Sequence, residues 1–260
     1  MSRGRGPEDR AANPNGTVLQ ACTLIGFSYV VPMDLPSEVP VMTLPNATLF
    51  PQALLPLYIF EARYRQMLAD ALHSNRLLSV AMRRPGSTRE TPTEVAGLGL
   101  IRVSVAHKDG TSHLIVQGLT RVKLEKAVRF RPYRIHRITP LTTPPCNSTA
   151  ADALLQTVRE LLKERVQLGM PFPFPLVSHE QPGPPSQSPP AFSAKEVIGY
   201  LDSIADPEQA ADLVSCAVLA AGEDRQAILE ALDVETRLRR LAQFLLRDIK
   251  ALPKKNRRPR

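Results

Sequence analysis

The spacing of apolar positions changes about halfway along the chain. Up to residue 141 the apolar residues form short runs or alternate with polar ones, which is typical of β-strands. The strand signals fall at 39–43, 54–60, 77–82, 101–105, 114–116, 122–124 and 133–138. One helical stripe, formed by Phe60, Tyr64, Met67 and Ala71, interrupts them. The first half is therefore expected to form a small closed or half-closed barrel with one early helix.

The second half carries apolar stripes at helical spacing. Helices are predicted around Leu154–Leu168, after Ser193 (a capping box with Glu196), after Asp206-Pro207 and ending at Gly222, and along Val234–Ile249. Each stripe covers one face of its helix, so the helices must pack together as a bundle to bury it. Eight prolines between residues 171 and 190 predict a stiff, exposed insert.

These patterns predict an α+β protein, a small β-barrel lobe followed by a C-terminal helical bundle lobe. The predicted boundaries are 37–141 for the barrel lobe, 142–252 for the helical lobe with its insert at 171–190, and 253–260 for a basic tail. Residues 1–36 are expected to be disordered or an extension from an upstream start site. The alternative is an extra edge strand at Phe27–Val31, where Tyr29, Val30 and Val31 favour β structure.

Charge is unevenly distributed. The net charge is +8, of which residues 37–141 contribute +8, residues 193–253 −4, residues 254–260 +5 and the rest of the chain −1. This uneven distribution indicates separate modules. Three widely spaced cysteines and no apolar run near the roughly 18 residues that cross a bilayer predict a cytoplasmic protein.

No catalytic, cofactor or metal motif is recognisable. The chain has neither the phosphate-binding GxxxxGK[ST] pattern nor GxSxG, and Ser193 with Lys195 sits at a helix start, where a cap explains the serine better. Asp109-Gly110 predicts a two-residue hairpin turn, which would pair His113 with Ala106 and place His107 and His113 on opposite faces. No metal site and no cofactor are therefore expected.

A basic run with interleaved aromatic residues lies between residues 121 and 137. Basic side chains neutralise phosphates and aromatic rings stack on bases, so the run is a candidate RNA-binding face. Its candidate residues are Arg121, Lys123, Arg129, Arg131, Tyr133 and Arg134. The alternative is the solvated outer face of a barrel strand, which simple alternation also produces.

Three segments together resemble the N-terminal domain family of Lon-type proteases. They are VPVMTLPNATLFPQALLPLYIFEARYRQMLADAL, VAGLGLIRVSVAHKDGTSHLIVQGLTRVKLEKAV and DPEQAADLVSCAVLAAGEDRQAILEALDVETRLRRLAQFLL, and the resemblance spans about residues 37–250. It implies a PUA-like barrel, a helical lobe and recognition of protein substrates. It nominates no catalytic residue, and the ATPase and protease motifs of that family are absent from this sequence.

The resemblance favours a non-catalytic polypeptide-binding module in protein quality control. Its expected partners are unfolded or degron-bearing polypeptides. The apolar stretch around residues 49–58 supplies the candidate binding residues, which are Phe50, Leu54, Leu55 and Tyr58. The same residues could instead form barrel core. RNA binding, or an adaptor role for a protease or chaperone, remain the alternative functions at this point.

Overall fold

The computed structural model describes residues 18–24, 27–33, 35–87, 89–170 and 194–252. Two compact units are present, residues 1–37 and 38–260. In the first unit, β1 (Val18–Leu24) and β2 (Phe27–Met33) form a two-stranded antiparallel sheet. The expectation for residues 1–36, disorder or an extension from an upstream start site, stays a prediction. Pro32 lies opposite Leu19 in the ladder, and a two-stranded sheet tolerates proline because each strand has an open edge.

Several predicted features fall outside the described residues. These are the polar start of the chain, the capping serine Ser193, the proline-rich insert at 171–190 and the basic tail at 253–260.

The barrel lobe contains six strands and one helix. They are β3 (Glu38–Leu44), β4 (Leu54–Ile59), α1 (Ala62–Leu72), β5 (Leu77–Met82), β6 (Val95–Ala106), β7 (Ser112–Arg129) and β8 (Arg134–Leu141). The strand order is β4-β7-β6-β5-β3-β8, and a further pairing of β7 with β8 closes the barrel. The long strand β7 therefore pairs with three neighbours, and β4 is attached to it outside the closed ring. Three members of the predicted helical stripe, Tyr64, Met67 and Ala71, lie on α1 and are buried in the barrel core. The fourth, Phe60, requires a correction, because it precedes the helix and is exposed.

The helical lobe contains five described helices. They are α2 (Ser148–Gln167), α3 (Ala194–Ser203), α4 (Pro207–Val218), α5 (Gly222–Glu230) and α6 (Val234–Ala251). Asp206 caps α4 as predicted, its carboxylate accepting hydrogen bonds from the backbone N–H groups of Glu208 and Gln209. Gly222 begins α5 instead of ending α4. The molecule has the predicted α+β class, a barrel lobe followed by a helical lobe.

The chain segment at Leu49 and Phe50 crosses two barrel strands at very close range. A Cβ atom on Gly97 would lie 2.0 Å from the carbonyl oxygen of Leu49, and one on Gly118 would lie 1.9 Å from that of Phe50. Only glycine leaves room for this crossing. The crossing directs Leu49 into the barrel core and Phe50 into the helical-lobe core. Within the described residues, no helix is both long and apolar enough to cross a membrane.

Candidate functional site

The outer face of strand β4 is apolar and exposed to solvent. Side chains alternate between the two faces of a strand, and here Ile59 is buried while Leu54 and Tyr58 are 50% and 49% exposed. Phe60, two residues beyond Tyr58, is 61% exposed. Leucine and aromatic side chains lying side by side in water are unusual enough to indicate a contact surface.

The exposed apolar surface continues across the neighbouring strands. Tyr58 lies opposite His113 on β7, which in turn lies opposite Val105 on β6. The next row joins Pro56, Ile115 and Val103 in the same way. We call this surface the outer face; its residues are Leu54, Pro56, Tyr58, Phe60, Val103, Val105, His113 and Ile115, all exposed.

Aromatic and imidazole rings are clustered at one end of the outer face. The rings of Tyr58 and Phe60 stack with centroids 5.9 Å apart, and those of Tyr58 and His113 lie 4.8 Å apart. His107 contacts His113 edge-on, with Nε2 of the first 2.6 Å from Nδ1 of the second. These ring contacts restrict the side chains before any ligand arrives, and fewer freely rotating side chains lower the entropy cost of binding.

The contact between the two histidines overturns the prediction that they lie on opposite faces. The hairpin loop has three residues, because Ala106 pairs with Ser112 and the N–H of His107 donates to the carbonyl of Thr111. Gly110 takes a positive φ of 81°, as the last residue of such a loop does. The longer loop shifts the register by one residue, which returns both rings to one face.

A second irregularity in β6 exposes two valines. Ile101 is buried, whereas Val103 and Val105 are exposed, and the strand register shifts between Ile101 and Val103. The extra residue is Arg102, which forms a β-bulge. Simple alternation grouped the three apolar residues on one face, so sequence reasoning missed Val103 and Val105 as surface residues.

Strand β4 also has an open backbone edge. No other described strand pairs with it besides β7. Gly118 donates to the carbonyl of Ala53 at 2.8 Å, and since backbone groups alternate in direction, the odd-numbered residues of β4 bond to β7. The N–H groups of Leu54 and Tyr58 therefore face the open edge. Pro56 is tolerated in β4 for the same reason, since its position needs no donor.

The charged groups nearest the outer face are mainly basic. Arg102 donates to Gln117 at 2.6 Å at the Leu54 end, and the guanidinium of Arg65 lies against Gly110 at the other end. The carboxylate of Glu61, the residue after Phe60, forms an ion pair with Arg63 at 2.6 Å. Asp109 accepts hydrogen bonds from the backbone and hydroxyl of Thr111, which lower the pKa of its carboxyl.

The structure separates the four predicted polypeptide-binding residues. Leu54 and Tyr58 lie on the outer face, and Leu55 is half-buried against the barrel core. Phe50 requires a correction, because it is fully buried and packs into the helical-lobe core. It anchors the crossing segment and cannot touch a ligand at the surface.

The predicted RNA-binding set is also divided. Arg121 requires a correction: it is 2% exposed, and its guanidinium donates to the carboxylate of Asp212 at 2.8 Å and to the carbonyl of Leu229 at 3.0 Å. Tyr133 is likewise buried, and its hydroxyl donates to Asp70. Neither can reach a nucleic acid. Of the remaining members, Lys123, Arg129 and Arg131 are exposed and Arg134 is half-buried.

Metal chemistry finds no support in the described part of the chain. It contains no group of three or more His, Cys, Asp or Glu side chains placed to hold a metal ion. For the pair His107 and His113, the described residues supply no third ligand of that kind.

A closed barrel with an appended edge strand, followed by a helical lobe, defines a two-lobed domain with an apolar outer face. The family model described as the ATP-dependent protease La (LON) substrate-binding domain matches residues 38–247. The chain belongs to this family.

Relatives and solved structures agree with this assignment. The chain is 22% identical over 222 residues to a Lon protease of Dictyoglomus thermophilum and 26% identical over 225 residues to that of Syntrophus aciditrophicus. Each match covers 84% of this chain but only 25% and 26% of the relatives, so the chain spans about a quarter of their length. The N-terminal domain of the Mycobacterium avium complex Lon protease superimposes with a TM-score of 0.61 at 20% identity, covering 80% of this chain and 98% of that domain. That likeness confirms the fold.

Proposed function

We propose that this protein is a non-catalytic polypeptide-binding module that holds extended apolar segments against its outer face, as part of protein quality control in the cytoplasm. The observation that carries the proposal is the exposed, contiguous apolar surface on β4, β7 and β6, found in a member of a substrate-binding domain family.

The open edge of β4 favours a polypeptide over other apolar ligands. An extended segment laid beside β4 can accept hydrogen bonds from the N–H groups of Leu54 and Tyr58, and its alternate side chains can pack on the outer face. The cations Arg102 and Arg65 near its two ends favour segments flanked by acidic residues.

Binding of a labelled, reduced and alkylated model protein tests the proposal. Replacing both Leu54 and Tyr58 with serine is expected to weaken binding by about thirtyfold or more, because truncating two anchor residues at over about 1 kcal/mol each removes over about 2 kcal/mol. The melting temperature should stay unchanged, since both side chains are exposed. Leu246→Ser, an exposed leucine on α6, is the matched control and should bind normally.

Salt dependence separates polypeptide binding from RNA binding. Apolar contacts weaken little as salt rises, whereas RNA binding through Lys123, Arg129 and Arg131 would weaken steeply. Wild-type affinity in the Leu54/Tyr58 double variant, together with tight and strongly salt-dependent RNA binding, would contradict the proposal.

A further inference from the structure

A small cavity of about 230 Å³ lies where the loop between β7 and β8 meets β3 and the start of α1, and none of its lining residues belongs to the outer face. Its lining includes Thr43, Arg63, Glu90, Phe130, Arg131 and Arg134. Drug-sized ligands usually occupy about 300–1,000 Å³. This cavity is therefore of the size that takes one amino-acid residue or a comparably small organic molecule.

The cavity is electropositive. Three guanidinium groups and one carboxylate line it, which gives a net charge of +3 − 1 = +2. Arg63 forms ion pairs with Glu90 at 2.7 Å and with Glu61 at 2.6 Å. The hydrogen bond from Arg63 lowers the pKa of Glu90, so the Glu90 carboxylate stays ionised. Arg131 and Arg134 form no ion pair with any described residue. If the carboxylate of Glu61 is counted with the cavity lining, Arg131 and Arg134 still leave the net charge of the site positive.

One wall of the cavity is apolar. Phe130 is 63% exposed, and the guanidinium of Arg134 lies 5.3 Å from its ring centroid. An exposed aromatic ring of this kind gives an apolar side chain a surface on which to pack.

We propose that this cavity binds the C-terminal residue of a polypeptide, with its terminal carboxylate on Arg131 and Arg134 and an apolar side chain against Phe130. Guanidinium groups suit carboxylates because their N–H donors match the two oxygens. The inference rests on the proposed function, since it assumes polypeptide ligands. It adds a preference for chain ends to the binding of internal segments on the outer face.

The test compares two peptides of identical sequence that end in phenylalanine, one with a free carboxylate and one amidated, titrated into the full chain. The free acid is expected to bind about tenfold more tightly, as a charge-assisted contact of about 1.4 kcal/mol or more implies. Replacing both Arg131 and Arg134 with glutamine should remove that difference. Arg239→Gln, an exposed arginine on α6, is the matched control and should keep it.

Two outcomes would overturn the inference. One is equal affinity for the acid and the amide. The other is binding of adenosine monophosphate through Arg131 and Arg134 without any carboxylate preference among peptides, which would assign the cavity to nucleotides. The Leu54/Tyr58 double variant separates this inference from the proposed function. If the double variant still prefers the free carboxylate, the inference is supported. This holds even if the two substitutions leave the binding of unfolded protein unchanged, a result that would contradict the outer-face function.

Discussion

The cysteines Cys146 and Cys216 lie in very different surroundings. Cys146 is exposed before α2, whereas Cys216 lies within α4 and is partly covered by the helical-lobe core. Burial raises the pKa of the Cys216 thiol to about 11, and Asp212 acts in the same direction while Arg225 opposes it. Since the thiolate is the reactive form, Cys216 should react slowly near neutral pH.

Thiol labelling with a chromogenic disulfide at pH 8 checks this expectation. In a Cys22→Ser background, one thiol should react quickly in the native protein and the second only after denaturation. Adding Cys146→Ser should remove the fast phase. Two equally fast thiols in the native protein would show that Cys216 is not protected as described.

Individual side chains show how far sequence reasoning reaches. Leu54 and Tyr58 were predicted as binding candidates because they lie in an apolar stretch, and the structure exposes both side chains. Phe50 and Arg121 were named as surface candidates but are buried, since both make contacts between the lobes. Alternation places Arg121 on the outside of the barrel, but it cannot reveal that the helical lobe covers that position.

At the scale of elements, strand and helix periods predicted most elements but not the registers between them. The β-bulge at Arg102 and the three-residue loop ending at Gly110 each shift a strand by one residue. A one-residue shift exchanges the faces of a strand. These two features therefore decide that Val103 and Val105 lie on the outer face and that His107 lies on the same side as His113. Single-sequence periodicity contains no signal for either shift.

Helix α6 provides an internal comparison between buried and exposed leucines. Leu241 is fully buried in the helical-lobe core, while Leu246 on the same helix is 38% exposed. Leu241→Ala should lower the free energy of unfolding by about 2–5 kcal/mol, because it leaves a cavity. Leu246→Ala should cost much less. Chemical denaturation of both variants measures the difference, and equal costs would mean that α6 does not pack as described.

At the scale of the whole molecule, a buried polar network joins the barrel and helical lobes. Asp212 on α4 accepts hydrogen bonds from Arg121 on β7 and lies 3.7 Å from the fully buried Arg237 on α6. Together with Phe50, these contacts fix the lobes against each other. Breaking a buried ion pair leaves an uncompensated charge, so this network disfavours separation of the lobes. The sequence predicted two lobes but gave no indication of what holds them together.

Hydrogen–deuterium exchange of the full chain, with and without saturating unfolded model protein, tests the central claim most directly. Amides at the open edge of β4 exchange freely without a ligand and become hydrogen-bonded if a segment adds beside the strand. We predict slower exchange within residues 54–60 and 103–115 on binding. Unchanged exchange in both segments, with protection confined to residues 121–137 or to the helical lobe, would contradict the account.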